Sequence, residues 1–584
     1  MVDEILKAID ELNNCKKVKF KPCDTIAGYI SSFEGSAILP TGKEIELCIS
    51  FKKHFDISMP DIHLRCNYDK YLHVDSKGKL CLFDQSSLMI KRNMLSQLVI
   101  DCYDQALKIL SIDMHSEMYE SERKREFLSY WHSRASEKLY TSFDAAKISY
   151  SVFPMLNFNR TRIVAETKCW AEIIAYDYMR MPKSNNFGEC ITIRLRNNYV
   201  LPPLCTHYKW SFIKNYIMSN ITHSQKVEFE KFLRKRVRSL IRYFVLILPL
   251  EYSEIVIGFK LTITTKCSVK DRKKKAKRAR SKIIDNCYEG EVEPVHCERL
   301  DYSFIQNRLC ADDGIRTKSV LILGCGSLGG YIASNLCQYG ITSLDILDKD
   351  YYSPENACRH WLGFCGESAT KIINKADLLK NRLYSMYPYV DIDSLNYEDR
   401  SVEAFIEDIA RLSRYDLIIS ALGEPTLNLE INRLLYQNGI CTPFLCCFNE
   451  PYGIGGHSII VNIDKDSCLE CLYTSCTSNE QVTFRGSFVE ENQNFSKNMS
   501  GCAGSFVPYS NLDSQQTAIC VARMAIDVLN GKIVHNTMCS WLGSSDILVN
   551  EGYNVSARYK YHKDKGFITE KLQSNCYCNI CSKE

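Results

Sequence analysis

The chain has 584 residues, of which 45% are hydrophobic and 24% charged, with a formal net charge of +4. That balance is ordinary for a globular protein, and the small charge supplies no global field for nucleic acid or a membrane surface. No run approaches the roughly 20 apolar residues of a bilayer span, and the length suggests about three or four domains. The first residues, Met1-Val2-Asp3-Glu4-Ile5, are acidic and amphipathic, unlike a secretory signal. Most of the 29 cysteines are therefore expected as reduced thiols in a cytosol, a few of them kept for chemistry or metal.

Residues 1–145 read as one α+β domain. A helix from Glu4 to Leu12 leads into strand-like runs at Ile45 to Phe51 and Met59 to Leu64, then a loop, Gly78-Lys79-Leu80-Cys81-Leu82. Helical patterns follow at Met94 to Leu110 and through Glu126 to Trp131. Residues 146–300 read as a connecting domain without a chemical motif. Ile148 to Phe153, Cys169 to Ala175 and Phe244 to Leu250 suggest strands, and Ser224 to Tyr243 a helix. The basic run Lys270 to Arg280 has no interleaved aromatics, so a solvated linker is favoured over a nucleic-acid patch, and no direct nucleic-acid partner is expected.

Residues 301–584 alternate strand-like runs (319–324, 343–348, 415–420, 441–447, 457–463) with helices, the pattern of a parallel, doubly wound α/β sheet. Val320 to Leu323 runs into Gly324-Cys325-Gly326-Ser327-Leu328-Gly329, a G-x-G-x-x-G loop before a helix start, where glycines let the backbone approach phosphate. The next strand ends in Asp348, the expected ribose ligand. Asp350, Asn356, Arg359 and Lys371 follow at once. Two cations there suit phosphate handling and charge developing in acyl-phosphate chemistry, rather than hydride transfer. Mg²⁺ would draw on Asp348, Asp350 and Glu424.

Two C-x-x-C pairs, Cys468/Cys471 and Cys578/Cys581, have the spacing of a tetrahedral zinc site that would clip the C-terminal segment to the domain, with Cys576 competing in the second pair. Redox pairs are the alternative. Gly501-Cys502-Ala503-Gly504 precedes a helix starting near Ser514. Small neighbours leave Cys502 accessible, with Cys476 and Cys520 as competitors.

The set Gly324-x-Gly326-x-x-Gly329, Asp348-x-Asp350, Asn356-x-x-Arg359 and Lys371 resembles the adenylation domain of ubiquitin-activating enzymes and their bacterial relatives (ThiF/MoeB-like) that activate sulfur carriers. The resemblance implies ATP, Mg²⁺ and Zn²⁺, adenylation of a protein C-terminal glycine, thioester formation on Cys502 and a homodimer. Arg308, in Tyr302-x-x-Ile305-x-x-Arg308, resembles the family's arginine that reaches into the partner subunit's site; a solvated helix arginine is the other reading. The chain departs at Ser420-Ala421-Leu422-Gly423-Glu424, with glycine where the family has a metal-binding aspartate, so either Glu424 substitutes or the metal is held otherwise.

His73 to Leu82, with Met59-Pro60-Asp61-Ile62 upstream, resembles the histidine-to-cysteine segment of ubiquitin-conjugating enzymes, in the shortened form of bacterial conjugating domains. It makes Cys81 the second thioester cysteine. The His-Pro-Asn triplet is absent, leaving Asp75 or a backbone N–H to steady the oxyanion. The order conjugating-like, connecting, activating resembles the two-activity fusions of bacterial anti-phage (CBASS-type) systems. There the acyl donor is the C terminus of a cyclic-oligonucleotide synthase and the acceptor a lysine on a target. Three other readings remain open: a ubiquitin-like modifier pathway of another bacterial operon, a sulfur-carrier activator, and a nucleotide-binding scaffold.

Overall fold

A computed structural model describes residues 2–55, 58–65, 71–75, 77–83, 94–112, 116–234, 241–250, 253–263, 290–306, 313–365, 372–397, 400–498 and 505–582. The chain divides into two compact units, Met1–Asp301 and Tyr302–Glu584. No described helix is long and apolar enough to cross a membrane.

The first unit holds two sheets. Helix α1 (Val2–Lys16) buries Ile5, Ala8, Ile9 and Leu12, a single face at helical spacing. It covers an antiparallel meander of β1 (Lys21–Pro22), β2 (Ser31–Ile38), β3 (Glu44–Phe51) and β4 (Asp61–Leu64). The chain then runs through the Cys81 segment into α2 (Leu95–Leu110), which packs on α1 and contributes Val99, Tyr103 and Ala106 to the same core.

The second sheet begins after α3 (Glu117–Arg134). It comprises β5 (Glu137–Ser142), β6 (Tyr150–Phe158), β7 (Thr161–Ala165), β8 (Phe187–Arg194), β9 (Tyr208–Lys209), β10 (Ile241–Pro249), β11 (Glu254–Ile263) and β12 (Gly290–Arg299). Strands β11, β10, β8, β6, β7, β5 and β12 bond in that order, and β12 pairs again with β11, closing a ring. Leu139, Met155, Val164, Cys190, Val245, Val256 and Val295, one from each ring strand, share the enclosed core. A second core faces outward under α3, α5 (Trp210–Asn220) and α6 (His223–Arg234). Strand β10 feeds both, Val245 and Ile247 to one and Phe244, Leu246 and Leu248 to the other, which is why its sequence is a continuous apolar run.

Two expectations for this region fail. Cys169 to Ala175 is not a strand: α4 (Lys168–Ile173) continues into a π-helical turn, Ile174–Tyr178. Thr167 Oγ1 caps it by accepting the Trp170 N–H, and Ala171, Ile174 and Ala175 fall on one buried face at i, i+3, i+4. The helix expected over Ser224 to Tyr243 is α6, which is described to Arg234, while Ile241 already opens β10.

The second unit is built on one sheet in the order β15 (Asp391–Ser394), β14 (Ser343–Leu347), β13 (Ser319–Leu323), β16 (Leu417–Ser420), β17 (Phe444–Asn449), β18 (Gly455–Val461), β21 (Thr537–Leu542) and β22 (Phe567–Lys571). The first five are parallel and the last three pair antiparallel, so the doubly wound expectation holds for part of the sheet. The connection from β17 to β18 is Glu450 to Ile454, too short for the crossover a parallel neighbour needs. Both faces are covered. Val320 and Ile322 join α7 (Gly329–Tyr339), α8 (Lys375–Met386) and α11 (Asn511–Leu529) in one core, while Leu321 and Leu323 join α9 (Val402–Ile406) and α10 (Pro425–Gln437) in the other. At the edge, Asp391 and Asp393 of β15 are exposed, and Asp393 stands in register with Asp345 of β14.

Candidate active sites

The C-terminal ends of β13, β14, β16 and β17 surround a cleft of about 910 Å³. Open parallel sheets place ligands at such ends. Gly324 turns the chain at φ +90°, and a Cβ at Gly329 would stand 1.9 Å from the Gly324 carbonyl oxygen, so strand and helix approach this closely only with glycine there. A Cβ at Gly326 would meet nothing within 4 Å, and Gly326 lines the cleft at the start of α7. This is a cradle for an anion beside a helix N terminus.

Asp348 is buried; one oxygen accepts the Cys325 N–H at 2.6 Å and the other the Asp350 N–H at 2.8 Å. Burial raises its carboxyl above the usual range despite those two bonds. Its evident work is to fasten the glycine loop to β14. Asp350 is the acid that lines both this cleft and the small adjoining recess, which also holds Glu424. Asp350 Oδ2 is paired at 2.8 Å with Lys375 Nζ, the first residue of α8. Lys375 was missed by the sequence reading; Lys371, chosen there, lies outside the described residues, as do Arg308, Cys502 and the basic run 270–280. The signal that could have found Lys375 is the helix start itself: Asn374 caps α8 by accepting the N–H of Ala376 and Asp377.

Asn356 and Arg359 line the same cleft. The Arg359 guanidinium lies 5.8 Å from the rings of both Phe506 and Tyr509, and the Tyr509 hydroxyl bonds Ser327 Oγ at 2.9 Å. The segment immediately following the Cys502 loop is thus a wall of the nucleotide cleft. Strands β19 (Lys497–Asn498) and β20 (Ser505–Phe506) pair antiparallel, so the chain enters and leaves 499–504 at one place. Beneath Arg359, His360 Nε2 bonds the Cys325 carbonyl at 2.6 Å, and burial lowers its pKa to about 4. Glu424 caps no N–H of α10 with its side chain; its carboxylate lies 3.8 Å from Lys349 Nζ.

Cys81 is exposed at the mouth of a separate cleft of about 440 Å³ in the first unit. Its N–H donates to the His73 carbonyl at 2.7 Å, and Leu80 N–H to Ile62 O, tying the loop to β4. Gly78, at φ +81°, completes a tight turn with Asp75, whose carboxylate accepts the N–H of Lys77 and Lys79. Asp75 Oδ1 takes both of those N–H groups, so in this turn the side chain acts as an acceptor. Tyr130 of α3 faces the loop. Its hydroxyl accepts the His73 N–H, and burial pushes its pKa up to about 12, so it keeps a proton to donate. Lys52 and Lys79 hold Asp61 in the floor at 2.9 and 3.0 Å.

The sulfurs of Cys468, Cys471, Cys578 and Cys581 lie within 4.8 Å of one another, all buried, and Cys576 is exposed outside the cluster. The Cys468–Cys578 and Cys471–Cys581 separations are 3.6 and 3.2 Å. Disulfides need about 2.05 Å, whereas tetrahedral zinc with Zn–S near 2.3 Å sets sulfurs about 3.8 Å apart. The donor set therefore fits a metal better than a redox pair. Cys520 sits in α11, its thiol pushed up to about 11 by burial, and does not compete as a nucleophile.

Residues 303–553 match the ThiF family. The chain is 28% identical over 260 residues to an ATP-dependent ubiquitin transferase-like protein, Cap2, of Pseudomonas aeruginosa, a match spanning 43% of this chain and 44% of that protein. It is 21% identical over 509 residues to the protein of the same name from Escherichia coli, spanning 79% and 80%. The crystal structure of E. coli MccB with MccA-N7isoASN aligns at a TM-score of 0.33 and 15% identity, covering 46% of this chain and 68% of that one. The second unit thus contains the match to the ThiF family, in a chain similar to the ATP-dependent ubiquitin transferase-like proteins.

Proposed function

We propose that this protein activates a protein C terminus with MgATP and conjugates it to an amine. The observation that carries the reading is the shared cleft: Arg359, Lys375 and Asp350 line it together with the glycine loop, and so do Phe506, Val507 and Tyr509, which follow Cys502 in the chain. Phe506 is four positions beyond Cys502, a reach of at most about 14 Å.

The donor carboxylate attacks the α-phosphorus of ATP, releasing pyrophosphate and leaving an acyl-adenylate. Arg359 and Lys375 offset the charge that develops on the phosphates. Asp348, with Asp350 beside it in the adjoining recess, would hold the ribose hydroxyls. Asp350 and Glu424 are the carboxylates that would hold Mg²⁺, which when bound neutralises phosphate charge. The Cys502 thiolate attacks the acyl carbon and releases AMP. The Cys81 thiolate then takes the acyl group, freeing Cys502, and a target lysine amine displaces Cys81, losing a proton to solvent. The Tyr130 hydroxyl serves as donor to the oxyanion in this last step. The helix–meander–cysteine–helix order around Cys81 supports the conjugating reading of residues 1–145. The four-cysteine cluster would hold Zn²⁺ as a structural clip.

The resemblance to anti-phage fusions makes a cyclic-oligonucleotide synthase the first donor to try, in a cytoplasmic, homodimeric enzyme. The test is a non-reducing gel of wild type, Cys502→Ala and Cys81→Ala with that synthase and MgATP. Cys502→Ala should retain ATP–pyrophosphate exchange but form no thioester. Cys81→Ala should form the first thioester and no conjugate. Full activity in Cys81→Ala would leave a sulfur-carrier activator; ATP binding without any exchange would leave a scaffold.

A further inference from the structure

The nucleotide cleft continues beyond its phosphate-facing cations. Its remaining wall is aromatic: Phe448 at the end of β17, with Tyr473 and Phe484 from the chain that follows the first cysteine pair. Phe448 and Phe484 meet edge-on at 5.1 Å, and Tyr473 lies 5.6 Å from Phe484. His457 backs both phenylalanines at 5.1 Å. The acid beneath them, Glu450, is fully engaged: it takes His457 Nε2 at 2.9 Å, the Phe488 N–H at 2.8 Å and the Ser487 hydroxyl at 3.1 Å. Among the described lining residues Asp350 is the one carboxylate, and it is paired with Lys375. A cationic side chain brought here would find no free acid and would share the cleft with Arg359 and Lys375. Asn428, 5% exposed, also lines the cleft. Its Oδ1 takes the Ser420 hydroxyl at 2.6 Å, which leaves its N–H₂ for a carbonyl of a bound chain.

We infer that this aromatic wall receives the residues just before the donor's C-terminal glycine and selects apolar, uncharged side chains there. The inference rests on the adenylation reading above and names its substrate class. An apolar side chain gains by leaving water among these rings, a cationic one loses its hydration with no free acid in return, and an acidic one can be compensated only by drawing Arg359 or Lys375 away from the phosphates. The donor tail would therefore differ from one that carries arginine beside its terminal glycine.

The test uses the full-length protein and synthetic decapeptides identical except for the two residues before a terminal glycine: Phe-Leu, Arg-Arg or Asp-Asp. Peptide-dependent ATP–pyrophosphate exchange should show a KM for the Phe-Leu peptide lower by about tenfold or more than for either charged one. Phe484→Ala should erase that preference and Phe484→Leu should keep it. Should Phe484→Ala fail to fold, Phe448→Ala and the wild-type peptide series carry the same comparison. Equal KM values, or a preference for Arg-Arg, overturn the selection while leaving adenylation standing. No exchange with any peptide overturns the adenylation reading, and this inference with it.

Discussion

At the scale of single residues, the proposed nucleotide site holds two cations in different ways. Arg359 lies against aromatic rings, and among the described residues no acid pairs with it. Lys375 is tethered to Asp350 and must be shared between that carboxylate and phosphate. Replacing either with alanine should lower ATP–pyrophosphate exchange by about 10²–10³-fold, the scale of losing one preorganised charge contact. Lys375→Ala read against Lys371→Ala in the same assay would decide which lysine serves; a larger loss in Lys371→Ala would refute the assignment. The sequence shows the family-like cations by spacing alone, and spacing cannot count how many residues a loop takes before a helix starts. It also gives Asp348 by its place at a strand end, but not the two N–H groups of Cys325 and Asp350 that its oxygens accept.

His360 adds a pH dependence. Its folded pKa of about 4 lies below the ordinary 6.5 because burial disfavours the charged ring. The unfolded chain therefore binds more protons between those values, and stability rises with pH across that window. Its contribution is complete above pH 6.5 and is lost as pH falls toward 4, on the order of 3 kcal/mol. Thermal melts of wild type and His360→Gln between pH 7 and 4.5 should converge on acidification, because the variant has no ring to protonate. Parallel curves would show that His360 is not the group responsible.

At the scale of elements, α3 does two jobs at helical spacing. Phe127 and Trp131, four apart, enter the core outside the ring, where Trp131 Nε1 donates to the Val295 carbonyl at 3.0 Å. Glu126, Tyr130 and Ser133 face the Cys81 cleft. One helix thus ties the Cys81 cleft to a neighbouring core. The sequence shows a helix through Trp131 but not its second face, since a mixed polar and aromatic stripe carries no apolar signature. The cysteine cluster plays the equivalent part at the other end of the chain. It joins Cys468 and Cys471 to Cys578 and Cys581, and the spacing alone reveals it. Cys578→Ser should remove one bound zinc per chain by elemental analysis. A loss of about 3 kcal/mol would lower the melting midpoint by about 10 °C. An unchanged metal content would dismiss the site.

At the scale of the whole molecule, what the sequence reveals follows the physics of each architecture. The second unit is readable because its parallel strands are buried on both faces and punctuated by glycines with steric reasons. The closed ring is not, because closure depends on the pairing of β11 with β12, strands parted by residues 264–289, and no local pattern encodes a partner so distant. The antiparallel edge of the large sheet is hidden for a related reason. A buried run such as Gly455 to Val461 reads alike in either direction, and only the short connection before it decides.

The opposite edge of that sheet has a further consequence. Strand β15 ends the hydrogen-bonded array with exposed Asp391 and Asp393, and burial, with these two neighbours, raises the carboxyl of Asp345 one strand inward. A second strand docking there would have to bring its backbone against a ladder of like charge. At neutral pH the ladder is an electrostatic guard against fibre growth. Acid that protonates the raised Asp345 carboxyl weakens that guard, so colloidal stability should fail from this side of the molecule first.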